Sequence, residues 1–98
     1  MNNLVDTKFI TWNANSIKNK IHELEIVINE LKVDVIGLCE TKLNSQYKLK
    51  VPGFKVYRAD RNSSSGGVAL IIKNNLKHSK ISLPKLSETE AVAVEIFI

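Results

Sequence analysis

The sequence predicts an α/β fold: one strand–helix–strand unit followed by short, mostly antiparallel strands. Three observations carry this. Ile17, Ile21, Leu24, Ile28 and Leu31 recur at spacings of four, three, four and three, the period of a helix with one buried face. Two short apolar runs, Lys8 to Trp12 and Val33 to Cys39, flank that stripe. Beyond Pro52-Gly53 the apolar runs shorten to strand length and are separated by polar turns.

Residues 1–7 are polar and precede the first strand. That strand ends in Trp12, a core residue by its context, and two amides follow at alternate positions, Asn13 and Asn15. Either Asn15 or Ser16 suits the N-cap of the helix. Val27 widens the apolar stripe, while Lys18, Glu25, Asn29 and Lys32 fall on the solvated side. Val33 to Cys39 reads as the second strand. Connections of this kind are right-handed almost without exception, so the two strands are expected to be parallel neighbours. Their carboxyl ends, Asn13 and Glu40-Thr41, then share one edge, which is where open α/β sheets place their chemistry.

Residues 42–53 read as a surface loop. Phe54 to Ala59 and Gly67 to Lys73 read as strands joined by the polar hairpin 60–66, and Lys77 to Leu83 as a further strand. The last strand, Ala91 to Ile98, alternates, with Val92, Val94, Ile96 and Ile98 on one face. An apolar strand at Glu95-Ile96-Phe97-Ile98 leads to the expectation that residues 1–98 are the front part of a larger domain.

With 98 residues the chain holds one small domain. A single cysteine, Cys39, excludes an internal disulfide and reads as a small buried hydrophobe in a reducing setting. No apolar run reaches membrane-span length, and the first residues lack the basic start and apolar core of a signal peptide. An intracellular location is expected. The net charge of +4 is unevenly spread. Residues 1–41 carry four basic and six acidic side chains, residues 42–85 ten and one, and residues 86–98 none and three. Such a basic centre suits a polyanion, whose phosphates release counterions when neutralised. A solvated lysine surface is the competing reading. Arg58 and Arg61 favour phosphate, since arginine forks two donors onto one anion.

At the shared edge, Glu40 has the chemistry to bind a hard cation such as magnesium, which often takes one or two protein carboxylates and keeps its waters. Asn13 and Asn15 have the chemistry to hold a phosphate oxygen, a carboxylate or a metal-bound water. A surface glutamate and two turn-forming asparagines are the competing readings. His22 and His78 stand at no metal-ligand spacing. The run Ser63-Ser64-Ser65-Gly66-Gly67 lacks the lysine and following helix of a P-loop and reads better as a hairpin.

Five segments in order resemble the endonuclease/exonuclease/phosphatase superfamily. They are Thr11 to Lys18 with Cys39 to Leu43, Pro52-Gly53-Phe54, Tyr57 to Arg61, Gly66 to Lys73, and Glu90 to Ile96. The branch they resemble most is the endonuclease domain of non-LTR retrotransposons. The resemblance implies a four-layered α/β sandwich, of which this chain is an incomplete front part, and metal-dependent phosphodiester hydrolysis on DNA, with Mg2+ or Mn2+ as cofactor. By matching position Glu40 would ligate the metal, and Asn13 would be the catalytic asparagine after the first strand. Asn15 falls where many relatives carry an acid, and Ser16 where glycine is common. Asn15, Arg58 and Arg61 are the expected nucleic-acid contacts. The family's later Asp-x-Asn and catalytic histidine motifs are absent from these 98 residues, so little activity is expected of them alone. The partners implied are DNA, the remainder of the domain and a downstream reverse transcriptase, in the nucleus and with no membrane. Two other readings stay open: a catalytically dead nucleic-acid-binding or structural remnant, and a phosphoesterase acting on small molecules or lipids.

Overall fold

A computed structural model describes residues 6–61, 65–86 and 89–97. Strands β1 (Phe9–Asn13) and β2 (Val35–Cys39) are connected through a 3-10 turn (Ile17–Asn19) and helix α1 (Ile21–Leu31). Strands β3 (Phe54–Ala59), β4 (Val68–Lys73), β5 (His78–Lys80) and β6 (Val94–Ile96) follow. The main sheet has the order β1-β2-β4-β3, and β5 and β6 form a separate antiparallel pair. β1 and β2 are parallel, with Asn13 opposite Cys39, as the helical connection requires. β4 is antiparallel to both its neighbours. The chain is therefore α/β, with the expected strand–helix–strand unit followed by antiparallel strands.

The registers sort the sheet into two faces. Ile10, Ile36, Ile71 and Val56 stand in one row, and Trp12, Leu38 and Ala69 in the next. Ile17 and Leu24, together with Leu43 and Leu49 from the segment after β2, pack on this face to form the core. Fully burying one such leucine stabilises the fold by roughly 1.5–3 kcal/mol. The other face is buried at Val35 and Ile72 but open along β1, where Phe9 is 61% exposed.

Four expectations are corrected. The helix does not start at Asn15 or Ser16. Both have positive φ (44° and 82°), no side chain caps either helical segment, and Lys20 precedes the first α-helical residue. Leu31, at the helix end, is half exposed. Cys39 is exposed because it alternates onto the face that carries no helix. His78 lies on β5, within the strand expected at Lys77 to Leu83. Its Nδ1–H donates to the Leu76 carbonyl (2.7 Å), leaving Nε2 to accept from the Tyr57 hydroxyl (2.9 Å). The expected strands 77–83 and 91–98 shorten to three residues each. Ser63, Ser64 and Ile98 lie outside the described residues.

Candidate active site

Beyond the last ladder pair, β1 and β2 stay in step. Ala14 N–H donates to the Cys39 carbonyl (2.9 Å), Ser16 N–H to the Glu40 carbonyl (2.9 Å) and Ile17 N–H to the Thr41 carbonyl (3.2 Å). The parallel register thus carries Asn13 and Asn15 alongside Glu40. On the far side of Glu40, Thr41 N–H and Lys42 N–H donate to the carbonyls of Gly67 (3.2 Å) and Gly66 (2.9 Å). The Lys42 ammonium donates to Asn15 Oδ1 at 2.6 Å, and the Lys20 ammonium reaches the Ala14 and Asn15 carbonyls from below.

Strain is concentrated here. Five non-glycine residues among those described have positive φ, and four of them are Asn15, Ser16, Glu40 and Lys42. The fifth, Lys32, ends α1 in the left-handed conformation common at helix C-termini. Non-glycine residues in such conformations cost about 1–3 kcal/mol each and gather where a site requires them. Glycines 66 and 67 (φ 79° and 94°) complete the strained turn. A Cβ on Gly67 would overlap the Thr41 hydroxyl, which is buried and has no hydrogen-bond partner.

The amides of that glycine turn point at carboxylates. Gly66 N–H donates to Glu40 Oε2 (3.2 Å) and Gly67 N–H to Glu90 Oε1 (2.8 Å). Glu90 Oε2 accepts from Arg61 Nε (3.1 Å) and Nη2 (2.9 Å). The Gly67 amide and the Arg61 guanidinium hold the Glu90 carboxyl below its ordinary range. Two amides of the serine–glycine run, those of Gly66 and Gly67, are thus engaged by the protein's own acids. Glu90 and this turn were not among the site residues expected. Their sequence signal is slight: an acid just before an alternating strand, and a glycine pair just before another.

Arg61 faces Glu90, but Arg58 lies elsewhere. Its guanidinium forks onto Asp60 (2.8–3.2 Å) and donates to the carbonyls of Tyr47 (2.6 Å) and Asn44 (2.7 Å). The two side chains are 19% and 10% exposed. The fork expected for a phosphate binds the 42–53 segment to β3 instead, which revises the reading of Arg58. His22 is solvent-exposed on α1, 4.0 Å from Glu25, and His78 is bound to Tyr57, so neither is bonded to the edge.

One donor at the edge, the Glu40 carboxylate, fits a hard cation, whereas the Asn15 amide oxygen is taken by the Lys42 ammonium. The fit is to a single-carboxylate, largely hydrated ion of the magnesium type. Among the described residues no group of three His, Cys, Asp or Glu side chains is placed to share a metal ion. The Lys42 ammonium on Asn15 places positive charge on that side of the edge.

Parallel strands whose carboxyl ends gather an acid, two amides and a lysine define an α/β protein with a polar site at its strand ends. Residues 10–98 match the endonuclease/exonuclease/phosphatase family, and the chain belongs to it. A probable RNA-directed DNA polymerase from transposon BS of Drosophila melanogaster is 35% identical over 72% of this chain. The RNA-directed DNA polymerase of the mobile element jockey, from the same organism, is 30% identical over 87%. Exodeoxyribonuclease III of Haemophilus influenzae is 31% identical over 83%. The chain spans 8%, 10% and 32% of those proteins, respectively. Among solved structures, the APE2 catalytic domain of Xenopus laevis superposes with a TM-score of 0.56 at 28% identity. That match covers 68% of this chain and 24% of the other.

Proposed function

We propose that this chain is the amino-terminal part, residues 1–98, of a divalent-metal-dependent DNA endonuclease of retrotransposon type. The observation that carries the reading is the strained edge itself, where Lys42 bonds to Asn15 and the Gly66 amide bonds to the Glu40 carboxylate, beside the end of β1 at Asn13. Similarity to transposon-encoded polymerases and to an exodeoxyribonuclease supports DNA as the substrate.

In this reading Glu40 holds Mg2+ or Mn2+. Held there by Glu40, it would supply positive charge to offset the phosphate and would ease deprotonation of water. The Asn13 amide donates to a non-bridging phosphate oxygen, and Lys42, seated on Asn15, adds positive charge beside it. In-line attack also requires a group that accepts the proton of the attacking water. No described residue bonded to the edge is such a base, so the remainder of the domain is proposed to supply it. A reverse transcriptase is the proposed downstream partner, and the nucleus the proposed setting.

The test is magnesium-dependent nicking of supercoiled plasmid, comparing this chain with one extended through the rest of the domain. Nicking by the extended chain alone, abolished in Glu40→Ala, is the expected result. Salt-sensitive DNA binding without nicking in either would favour the binding remnant, and hydrolysis of small phosphoesters without nicking would favour the phosphoesterase.

A further inference from the structure

Two successive amides, those of Gly66 and Gly67, stand between the Glu40 and Glu90 carboxylates. Glu40 Oε2 accepts from Gly66 N–H, and the next amide, Gly67 N–H, donates to Glu90 Oε1. The carbonyls of the same two glycines accept from Lys42 and Thr41, so the glycine pair is clamped on both sides. Arg61 closes the arrangement by binding the second oxygen of Glu90. A Cβ on Gly66 would lie 2.7 Å from Glu90 Oε1 and 2.8 Å from Arg61 Nε, so the turn is fitted to this ion pair.

Glu90 is drawn in against its surroundings. Residues 81–86, which lead toward it, are exposed throughout, whereas its own side chain is 16% exposed. Two carboxylates on successive amides repel each other unless one is neutralised, and Arg61 does this for Glu90. The acid beside Glu40 is therefore a paired one.

We propose that Glu90, held by Arg61, is a positioning residue that sets the orientation of Glu40 through the Gly66–Gly67 turn and thereby tunes its affinity for a divalent cation. This deepens, and rests on, the metal-dependent nuclease reading. Groups that orient a metal ligand typically change affinity or activity by about 10- to 100-fold when removed.

The test follows the Gly66 and Gly67 amides and the Glu40 carboxyl by NMR in Glu90→Ala, Glu90→Gln and Arg61→Gln, with Mg2+ titrated into each. In Glu90→Ala, Gly66 is expected to shift and exchange with solvent faster, and Mg2+ affinity at Glu40 to fall roughly 10-fold or more. Glu90→Gln keeps an oxygen for Gly67 but loses the second oxygen that binds Arg61, so it should fall between the parent and Glu90→Ala, a partial rescue that a mere loss of fold would not give. Arg61→Gln should move the same signals in the same direction by less. In the extended chain, Glu90→Ala should raise the magnesium requirement for nicking more than it lowers the rate at saturation.

An unmoved Gly66 amide or an unchanged Mg2+ affinity in Glu90→Ala would overturn the proposal, as would Glu90→Gln as damaging as Glu90→Ala. If Glu90→Ala does not fold, Arg61→Gln decides by the same signals. Failure of the nuclease reading is read separately, from nicking that survives Glu40→Ala.

Discussion

Gly67→Ala tests how closely the glycine turn approaches Thr41. With φ at +94° an alanine carries about 1–2 kcal/mol of left-handed strain. Reduced freedom of the unfolded chain offsets about 0.4–1 kcal/mol of it. The new methyl also falls onto the Thr41 hydroxyl, on a β-branched side chain that is fully buried and has no room to retreat. Overpacking of this sort costs about 1–3 kcal/mol, so a loss of roughly 2–4 kcal/mol is expected. Gly53 serves as the control: its φ is +84° and nothing lies within 4 Å of the added Cβ. Gly53→Ala should therefore cost only about 1 kcal/mol. Urea unfolding measures both, as a lower midpoint at an unchanged slope. Adding Thr41→Ala to Gly67→Ala should recover about 1–2 kcal/mol as a coupling energy. If Gly67→Ala proves no worse than Gly53→Ala, or the pair does not couple, the close approach is not a constraint on this fold.

Other perturbations have definite expected outcomes. Arg58→Ala leaves Asp60 and two carbonyls without their partner and should destabilise by about 3 kcal/mol in urea, with the salt dependence of DNA binding unchanged. Lys32→Gly and Ser16→Gly each relieve a positive φ and should raise the melting temperature by a few degrees, about 0.5–1 kcal/mol apiece. Glu90, whose carboxyl is held below its ordinary value of 4.5, stabilises the fold fully above that value. That stabilisation is lost as the pH falls through the folded value. The urea-midpoint gap between the parent and Glu90→Gln should therefore be constant near neutrality and close only below about pH 4.5. A gap that closes between pH 7 and 6 would assign it to another group.

The strand–helix–strand unit was legible because its periods are local: the stripe from Ile17 to Ile28 and the run Val33 to Cys39 can each be read within a dozen residues. From them the shared edge of Asn13 and Glu40 follows by handedness alone. What escaped depends on contacts distant in sequence. Periodicity does not show that Glu90 meets Gly67, or that Arg58 turns back to Tyr47 and Asn44. Cys39 was misjudged because alternation says which residues share a face without saying which face is covered. The helix start was misjudged because Asn15 and Ser16 have the right chemistry for a cap, yet Lys42 holds the first and a positive φ removes the second.

The exposure of Cys39 has a practical consequence. It is the chain's single thiol, one residue before Glu40 and opposite Asn13 across the ladder. A maleimide fluorophore or spin label would therefore attach at one place, beside the edge where cation and phosphate are proposed to meet, with no engineered cysteine. The rate at which the unlabelled thiol reacts would fall as ligand covers it. Occupancy of the edge could then be followed in real time, and in the absence of any turnover.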